Sequence, residues 1–268
     1  MRNINLCAAG ITVERIVSMT AFTRNMKTGS ELDGRATVSA AITTHFDGRE
    51  MAMVHRMFRR EFMLASGVVR HVAAGDWERA STVAAHLRLV GSILHHHHSA
   101  EDRYVWPLLE QRAPSQISEC VLRVVEQHRR VDTVWSEVSR ELPVWSCIST
   151  AESRDRLADA LERLADALIE HMDYEERYIV PVMETHISMS EWNEIVQTLI
   201  AGLTPEEALL GLGMSMYESE PDLIEQIIAH MPREARQGIR CSAALAYADH
   251  AQLIHGTATP PRSKEIRR

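Results

Sequence analysis

The amino-acid sequence predicts an all-α protein with an antiparallel four-helix bundle over about residues 45–187. Apolar residues recur there at alternating steps of three and four, which is the spacing of a helix that buries one face. Four such stretches, each of roughly 22–28 residues and separated by turn-forming residues, supply the helices of a bundle. The chain also has few Gly and Pro and many Ala, Leu, Glu and Arg residues, a composition that favours helix over strand.

The first two predicted helices meet at Gly75. Helix one begins near Arg49, and helix two begins after Asp76 and ends before a turn at Pro114. Their buried faces follow the three-four rhythm, with Met51, His55, Phe58, Phe62, Ala65, Val69 and Val72 in helix one and Val83, Leu87, Val90, Leu94, His97, Glu101, Tyr104 and Leu108 in helix two.

The third and fourth predicted helices are separated by a loop rich in Ser and Thr. Helix three is expected to end at Pro143, because proline and the polar residues up to Thr150 close a helix. Helix four has Pro181 near its end. The buried faces are Ile117, Val121, Val124, His128, Val131, Trp135, Val138 and Leu142 in helix three and Leu157, Leu161, Leu164, Leu168, His171, Glu175, Tyr178 and Val182 in helix four.

Residues 1–44 are predicted to be a poorly ordered N-terminal extension. They show no sustained period, and residues 27–34 have the composition of a loop. A start of translation at Met19, at Met26 or at a later Met stays open as an alternative.

Residues 188–268 are predicted to be a C-terminal helical extension. Thr204 and Pro205 are a good helix start, and further Gly and Pro residues divide the extension into short helices. His250 and His255 lie five residues apart, which is not a spacing of metal ligands on a helix, and the sequence therefore assigns them a structural role.

The overall composition narrows the classes of function. The net charge of −8 and the lack of a basic stripe argue against nucleic acid as a partner. No apolar run approaches the ~18 residues that a membrane span needs, and the N-terminal residues do not have the pattern of a cleaved signal peptide. The cysteines form no CxxC pair, so neither a zinc knuckle nor a disulfide framework is expected and a reducing cytoplasm is the expected location. They are Cys7, Cys120, Cys147 and Cys241.

A short sequence motif occurs twice in the chain, at residues 97–107 and 171–181. The two copies share His, Glu, Arg, Tyr and Pro at the same offsets, and an acidic residue follows each Glu. A His and a Glu four residues apart lie on one face of a helix and can reach one metal site. Each copy also has a lone histidine at nearly equal distance upstream, His55 and His128, so the chain contains two similar helical hairpins.

Six ionisable residues interrupt the apolar faces where Leu or Val would otherwise stand. Burying that many imidazoles and carboxylates without strong partners costs several kcal/mol for each unpaired charge. A pair of metal ions removes this cost, and neutral imidazole with carboxylate suits iron or manganese. The predicted ligands are His55, His97, Glu101, His128, His171 and Glu175.

The run of four histidines at residues 95–98 leaves a choice of ligand. The three-four rhythm and the alignment with His171 both select His97, and His95 and His96 are expected to point outward. His98, three residues before Glu101, stays the alternative.

With one lone His or one His-x-x-x-Glu on each helix, residues 45–187 resemble the hemerythrin-like family, also called the HHE cation-binding domain. The resemblance implies an antiparallel four-helix bundle that holds two iron ions as a non-haem diiron centre, with manganese or zinc as the lesser alternatives. It also implies that the four selected histidines bind iron through nitrogen and that Glu101 and Glu175 bridge the two ions.

The sequence departs from the oxygen-carrying hemerythrins at two positions. Their third helix carries His-x-x-x-His, whereas Asp132 follows His128 here, and their fourth carries His-x-x-x-x-Asp, whereas His171 is followed by Glu175. A set of four His and two Glu leaves coordination positions for dioxygen, peroxide or nitric oxide. The sequence therefore favours sensing, scavenging or redox chemistry over reversible oxygen carriage.

Tyr104 and Tyr178 each follow a bridging Glu by three residues. They are either large core residues or catalytic groups whose phenol donates a hydrogen bond or an electron at the iron centre. Asp102, Asp132 and Glu176 are either acceptors that orient ligand imidazoles or exposed charges.

Three functions share this site. The first is sensing or scavenging of dioxygen, peroxide or nitric oxide. The second is an enzyme, either a diiron oxidase or oxygenase acting on an organic substrate or a catalyst of peroxide decomposition. The third is metal handling. A C-terminal extension that forms a pocket beside the metal would favour the enzyme, and one that packs elsewhere would favour sensing.

Overall fold

The computed structural model describes residues 45–231 and 233–266. Across these residues the chain forms α-helices with short 3₁₀ and π segments and no β-strand, so the all-α prediction is confirmed. Residues 1–44, for which the sequence predicts a poorly ordered extension, lie outside the described residues. Within the described ranges no helix is both long enough and apolar enough to cross a membrane.

Four long helices dominate the first part of the described chain. The elements in order are α1 (Gly48–Arg70), α2 (Trp77–Ala100), a π-helical turn (Glu101–Val105), α3 (Trp106–Arg112), α4 (Pro114–Ile148), α5 (Ala151–Tyr178) and α6 (Val180–His186). Each long helix packs against two others, because α1 and α4 both contact α2 and α5. The four therefore enclose a common core.

Large apolar side chains fill this core. Phe58, Phe62, Leu87 and Leu161 are among the residues that are almost wholly buried. Full burial of one such side chain contributes about 1.5–3 kcal/mol, so the core provides the main stabilising term. The core extends along the helices beyond the His and Glu residues that can bind a metal, and those residues replace apolar side chains over a short stretch only.

Polar side chains fix where the helices begin. The side chain of Asp76 accepts a hydrogen bond from the Arg79 N–H at 3.0 Å, and that of Thr150 accepts one from the Ser153 N–H at 3.2 Å. These bonds satisfy backbone donors that have no partner within the first turn of a helix. Gly75, with φ of +85°, provides the left-handed residue between α1 and α2.

Pro143 does not end its helix as the sequence predicts, since α4 continues to Ile148. A proline inside a helix removes one backbone hydrogen bond and costs about 3 kcal/mol. Leu142 and Trp145, on either side of Pro143, are both buried in the core. Their burial offsets the cost of the proline, and the helix ends instead at Ser149 in the left-handed conformation.

The C-terminal segment forms short helices that pack along the main body. They are α7 (Met189–Ile200), α8 (Pro205–Tyr217), α9 (Pro221–His230), α10 (Arg233–Arg236), α11 (Ile239–His255) and a 3₁₀ turn (Ser263–Glu265). α8 packs on α1, α7 and α11 pack on α2, and α8 and α11 pack on each other. A Cβ at Gly213 of α8 would lie 2.2 Å from the carbonyl oxygen of Ala243, so glycine permits this close helix pair.

Candidate metal centre

Side chains that can bind a metal converge between the four long helices. They are His55 on α1, His97 and His98 on α2, Glu101 at the start of the π-helical turn, His128 on α4, and His171 and Glu175 on α5. All are buried. The structure thus brings the six predicted residues together and adds His98; this set is called the His/Glu cluster below.

Within the His/Glu cluster, imidazole nitrogens lie against carboxylate oxygens. Glu101 Oε1 is 3.1 Å from His97 Nε2, and Glu101 Oε2 is 3.6 Å from His128 Nε2. Glu175 Oε2 is 3.4 Å from both His55 Nε2 and His171 Nε2. Each carboxylate therefore touches imidazoles from two helices, which is the arrangement of a bridging ligand.

The ligand atoms fall into two groups, each small enough to surround one ion. His98, Glu101, His128 and His171 form the first group, and His55, His97 and Glu101 form the second. Within each group the ligand atoms lie within 4.8 Å of one another. Glu101 belongs to both groups, and Glu175 contacts one imidazole of each.

Many polar atoms of the His/Glu cluster have no hydrogen-bond partner among the described residues. They are both carboxylate oxygens of Glu101 and of Glu175, Nε2 of His98 and of His128, and both ring nitrogens of His171. Each unsatisfied buried group costs about 1–3 kcal/mol, and more where it is charged. Cations placed between these lone pairs would remove the cost, so the donor set fits a metal site.

A family model described as the hemerythrin HHE cation binding domain matches residues 49–183. This range is half of the chain and contains the whole His/Glu cluster. The chain belongs to this family. No significant match was found among curated proteins or among solved structures. Residues 49–183 are called the HHE domain below.

Burial sets the protonation states inside the HHE domain. It lowers the pKa of His97, His98 and His171 well below the usual range, and neighbouring imidazoles lower it further. Burial raises the pKa of Glu101 well above the usual range, together with the charge of Glu175, and it also raises the pKa of Glu175. A lowered imidazole pKa favours the neutral form that binds a cation, whereas a raised carboxyl pKa favours the protonated form, which loses its proton when it binds one.

Acidic side chains orient two of the imidazoles from outside the cluster. Asp102 Oδ1 lies 2.9 Å from His128 Nδ1 and also accepts a hydrogen bond from Trp106 Nε1 at 3.0 Å. An acceptor at Nδ1 turns the lone pair of Nε2 toward a metal. Asp132, for which the sequence allowed the same role, is exposed.

The second orienting acid is Glu176. Its Oε1 lies 2.9 Å from His55 Nδ1 and accepts a hydrogen bond from Arg59 Nη1 at 2.6 Å. The residue after each cluster glutamate thus holds a histidine of the opposite hairpin. Nearby imidazole and guanidinium groups outweigh partial burial and lower the pKa of Glu176, so that it is ionised when it accepts this bond.

His98 is the cluster residue that the sequence rhythm passed over. Its ring stacks on His128 with 4.1 Å between centroids and meets His171 edge-on at 4.9 Å. The sequence offered a signal, because residues three apart also share a helix face and His98 stands three before Glu101. Both His97 and His98 therefore lie in the cluster.

Tyr104 and Tyr178 are not brought to the His/Glu cluster. Tyr104 is half-buried beside Arg103, whose guanidinium lies 5.6 Å from its ring centroid. Tyr178 is 43% exposed and packs on Tyr174. Tyr104 lies in the π-helical turn, whose wider spacing rotates it out of α-helical phase, and Tyr178 is the last residue of α5. Their predicted catalytic role has no contact with the cluster to support it.

An apolar cavity of about 180 Å³ lies between the HHE domain and the C-terminal segment. Within the cluster, it is lined by His97 and Glu101. Its other walls come from α1, α2, α7 to α9 and the turn between α7 and α8, with Met57, Ile93, Ile195, Leu199, Leu203 and Leu212 among them. The C-terminal segment therefore forms part of the wall of a pocket that reaches His97 and Glu101 of the cluster.

Proposed function

We propose that the HHE domain is an antiparallel four-helix bundle that holds two iron ions in the His/Glu cluster and reacts with dioxygen, peroxide or nitric oxide there. The observation that carries this proposal is the convergence of buried imidazole nitrogens and carboxylate oxygens that have no hydrogen-bond partner among the described residues. When bound, a pair of iron ions supplies redox chemistry with these small ligands.

The proposed ion positions differ in their ligands. His98, His128 and His171 with Glu101 would hold one ion, and His55 and His97 with Glu101 would hold the other. Glu175 would bridge, because its Oε2 touches an imidazole from each group. The second position has one nitrogen fewer, so exchangeable coordination positions are expected there.

The apolar cavity supports reaction at this second position. It reaches His97 and Glu101, and it is lined by apolar side chains over most of its wall. An apolar passage admits small uncharged molecules such as dioxygen and nitric oxide and disfavours ions, which would lose their hydration. His98 is a fifth imidazole, so the cluster contains more nitrogen ligands than the sequence predicts. The argument for reactivity therefore depends on the position that has only two imidazoles and lies beside the cavity.

Anaerobic reconstitution with Fe(II) followed by stopped-flow mixing tests this proposal. We expect two irons per chain and optical changes on adding oxygen, peroxide or nitric oxide, with oxidation of the centre by oxygen not reversed under vacuum. A long-lived oxygen adduct that releases unchanged oxygen would instead assign the domain to oxygen carriage. One iron per chain at saturation would contradict the two-ion site.

A second candidate function is oxidation of a small apolar organic substrate. The cavity volume of about 180 Å³ is slightly larger than a protein cavity of about 150 Å³ that accommodates benzene. Glu50 also lines this cavity, where burial raises its pKa and Trp192 Nε1 donates a hydrogen bond to its Oε2 at 2.7 Å. The observation that favours this function is the size of the cavity beside His97, which offers more room than dioxygen or nitric oxide needs.

Filling the cavity separates the two candidates. Ala208→Phe should place a ring in the cavity, whereas Ala201→Phe adds the same ring at an exposed position and serves as the control. If the protein is an oxidase, Ala208→Phe should abolish substrate-dependent oxygen consumption with small aromatic compounds, while iron content stays that of the control. Oxygen consumption that no small apolar compound stimulates in the parent chain would exclude this second function.

A further inference from the structure

A second group of metal-type side chains lies away from the His/Glu cluster. Glu61 is on α1, roughly 9 Å along the helix axis from His55, and it meets His86 of α2 and His255 at the end of α11. Glu61 Oε2 is 3.2 Å from His86 Nε2 and 3.4 Å from His255 Nε2. The three ligand atoms lie within 4.8 Å of one another, which is close enough for one ion.

One carboxylate oxygen of Glu61 is buried without a hydrogen-bond partner among the described residues. Glu61 is 1% exposed, and its Oε1 accepts hydrogen bonds from Arg60 Nε at 2.8 Å and Nη2 at 2.6 Å. Its Oε2 has no such bond, because the nearby imidazoles are close but not aligned to donate. An oxygen aimed at two ring nitrogens in this way is what a cation between them requires.

His250 orients His86 from behind. His250 Nε2 lies 3.0 Å from His86 Nδ1. In the tautomer in which His86 Nδ1 donates this hydrogen bond, His250 Nε2 is the acceptor. His86 Nε2 then carries a lone pair that faces Glu61 Oε2. Two acceptors at this distance repel each other, and a cation bound by both would remove the repulsion.

The charges around this group favour a divalent ion. Arg60 donates two hydrogen bonds to Glu61 Oε1, as a guanidinium does to a carboxylate. Arg60 is shared with Glu218, whose Oε1 lies 2.8 Å from Arg60 Nη1, and its guanidinium stacks 4.8 Å from the centroid of Tyr247. Two carboxylates and one guanidinium carry a net charge of −1, which favours a bound cation.

We propose that Glu61, His86 and His255 bind a divalent transition-metal ion, with Zn²⁺ as the best match, and that this ion fastens α11 to the HHE domain. Two imidazole nitrogens and one carboxylate oxygen supply three ligands of a tetrahedral zinc site, with water at the fourth. His255 lies outside the HHE domain, so this site is not part of the family match. The sequence assigned His255 a structural role because its spacing to His250 is wrong, but its partners come from other helices.

The position of α11 gives the ion a structural consequence. Arg79 of α2 already donates hydrogen bonds to the backbone carbonyl oxygens of Leu253 and Ile254, so the end of α11 is held beside His86. Because the ligands come from both the HHE domain and α11, an ion bound there is linked to docking of the helix. Removal of the ion should therefore loosen α11 without displacing the iron ligands.

Metal counting on the full chain tests the site. His86→Gln and His255→Gln should each lower the zinc content by one ion per chain relative to the parent, or weaken that ion at least about tenfold in a competition with a chelator. His230→Gln removes an exposed histidine of the same C-terminal segment and should leave the content unchanged. Iron content after anaerobic loading should be the same in all four proteins. Unchanged zinc content and affinity in His255→Gln would overturn the proposal.

Two further measurements keep the proposal testable should a variant fail to fold. Zinc-edge anomalous diffraction of the parent chain should give a peak between Glu61, His86 and His255, and its absence after zinc loading would overturn the site. Hydrogen exchange of α11 should slow when zinc is added to the metal-free parent chain. A parent chain that binds two irons but no zinc would contradict the site at Glu61 and leave the iron centre standing.

Discussion

The two copies of the repeated motif, residues 97–107 and 171–181, form unequal halves of one site. The first copy carries His97 and His98 and passes directly into a π-helical turn at Glu101, whereas the second carries His171 and Met172 on a regular α-helix that contains Glu175. The first copy therefore adds an imidazole that has no counterpart in the second. A site that looks symmetric as a pattern of letters becomes asymmetric in ligands, with three imidazoles around one position and two around the other.

The acids outside the site show the opposite behaviour, because they keep the symmetry. Asp102 of the first copy holds His128, and Glu176 of the second holds His55. Each hairpin thus positions a histidine of the other, which couples the two halves. The cavity then distinguishes them again, since it reaches His97 and Glu101 on the side with fewer imidazoles. The comparison suggests that the halves share their positioning chemistry and differ in ligand number and access.

Replacement of a cluster glutamate should have the largest effect, and Glu101 should matter more than Glu175. Glu101→Ala removes a ligand from both groups and should lower iron affinity by about 3–5 kcal/mol, which is roughly 150–5,000-fold. Iron per chain measured by elemental analysis should fall toward zero in Glu101→Ala and less in Glu175→Ala. Glu110→Ala, at an exposed position, is the control. Equal losses of iron in Glu101→Ala and Glu175→Ala would contradict the larger contribution assigned to Glu101.

His98→Met makes the first copy resemble the second and should weaken one ion. The position with three imidazoles loses one of them, so its affinity for iron should fall by about 100-fold. Loss of a residue that only orients a ligand costs about 10–100-fold, and loss of a ligand should cost at least as much as the upper value. The position at His55 and His97 should keep its ion. Mössbauer spectra of the ⁵⁷Fe-loaded protein would resolve the two irons, with His95→Met as the exposed control. Two irons bound with parental affinity would show that His98 is no ligand.

Asp102→Asn and Glu176→Gln should each cost about tenfold in iron affinity, because an outer acceptor that orients an imidazole is worth about 10–100-fold. Both losses should be of the same order of magnitude, since the two acids make equivalent bonds to His128 and His55. Glu176→Gln also removes an ion pair with Arg59, so its effect should be the larger. Competition with a chromogenic chelator measures both. A loss in one variant only would break the symmetry of the outer acids.

Iron loading should release protons from the carboxyl groups and not from the imidazoles. The pKa of Glu101 is raised in the folded chain, so this group holds a proton at a pH where an exposed glutamate would have lost it, and a cation must expel it. Apparent iron affinity should therefore rise with pH until the raised pKa is passed, and proton release should fall over the same range. Anaerobic calorimetry in buffers of different ionisation enthalpy measures the release, and Glu101→Gln should reduce it. Release that persists unchanged in Glu101→Gln would contradict this assignment.

The smallest effect is expected for the tyrosines of the two copies. Tyr104→Phe and Tyr178→Phe should each change the rate of oxidation by oxygen less than about twofold, because removal of a hydroxyl that touches no cluster residue leaves the transition state unaffected. Stopped-flow mixing of the diferrous protein with oxygen provides the rate. A loss of tenfold or more in either variant would restore the catalytic role that the repeat predicts.

The sequence was sufficient for the helices and for most of the cluster because both depend on local spacing. The three-four rhythm locates the buried face of each helix, and His with Glu four residues later marks a shared face wherever the helix is regular. His98, which the sequence kept as the alternative to His97, also lies in the cluster, because its ring packs on those of His128 and His171 from other helices. Pro143 was misjudged for a related reason, because burial of its neighbours outweighs the local preference of proline.

The site at Glu61 could not be predicted from spacing at all. Glu61, His86 and His255 come from three helices, and His255 is separated from the other two by most of the chain. Their meeting depends on how α11 packs against α2, which is decided by tertiary contacts such as those of Arg79 with the last carbonyls of α11. The cavity likewise exists only where the C-terminal helices cover α1 and α2.

Iron-edge anomalous diffraction from crystals of the anaerobically reconstituted protein would test the asymmetric two-ion site most directly. We expect two peaks about 3.5–4 Å apart, as in paired metal sites. One should lie among His98, His128 and His171, and the other beside His55 and His97 on the side of the cavity. A single peak, or two peaks with His98 turned away from both, would contradict the proposed site.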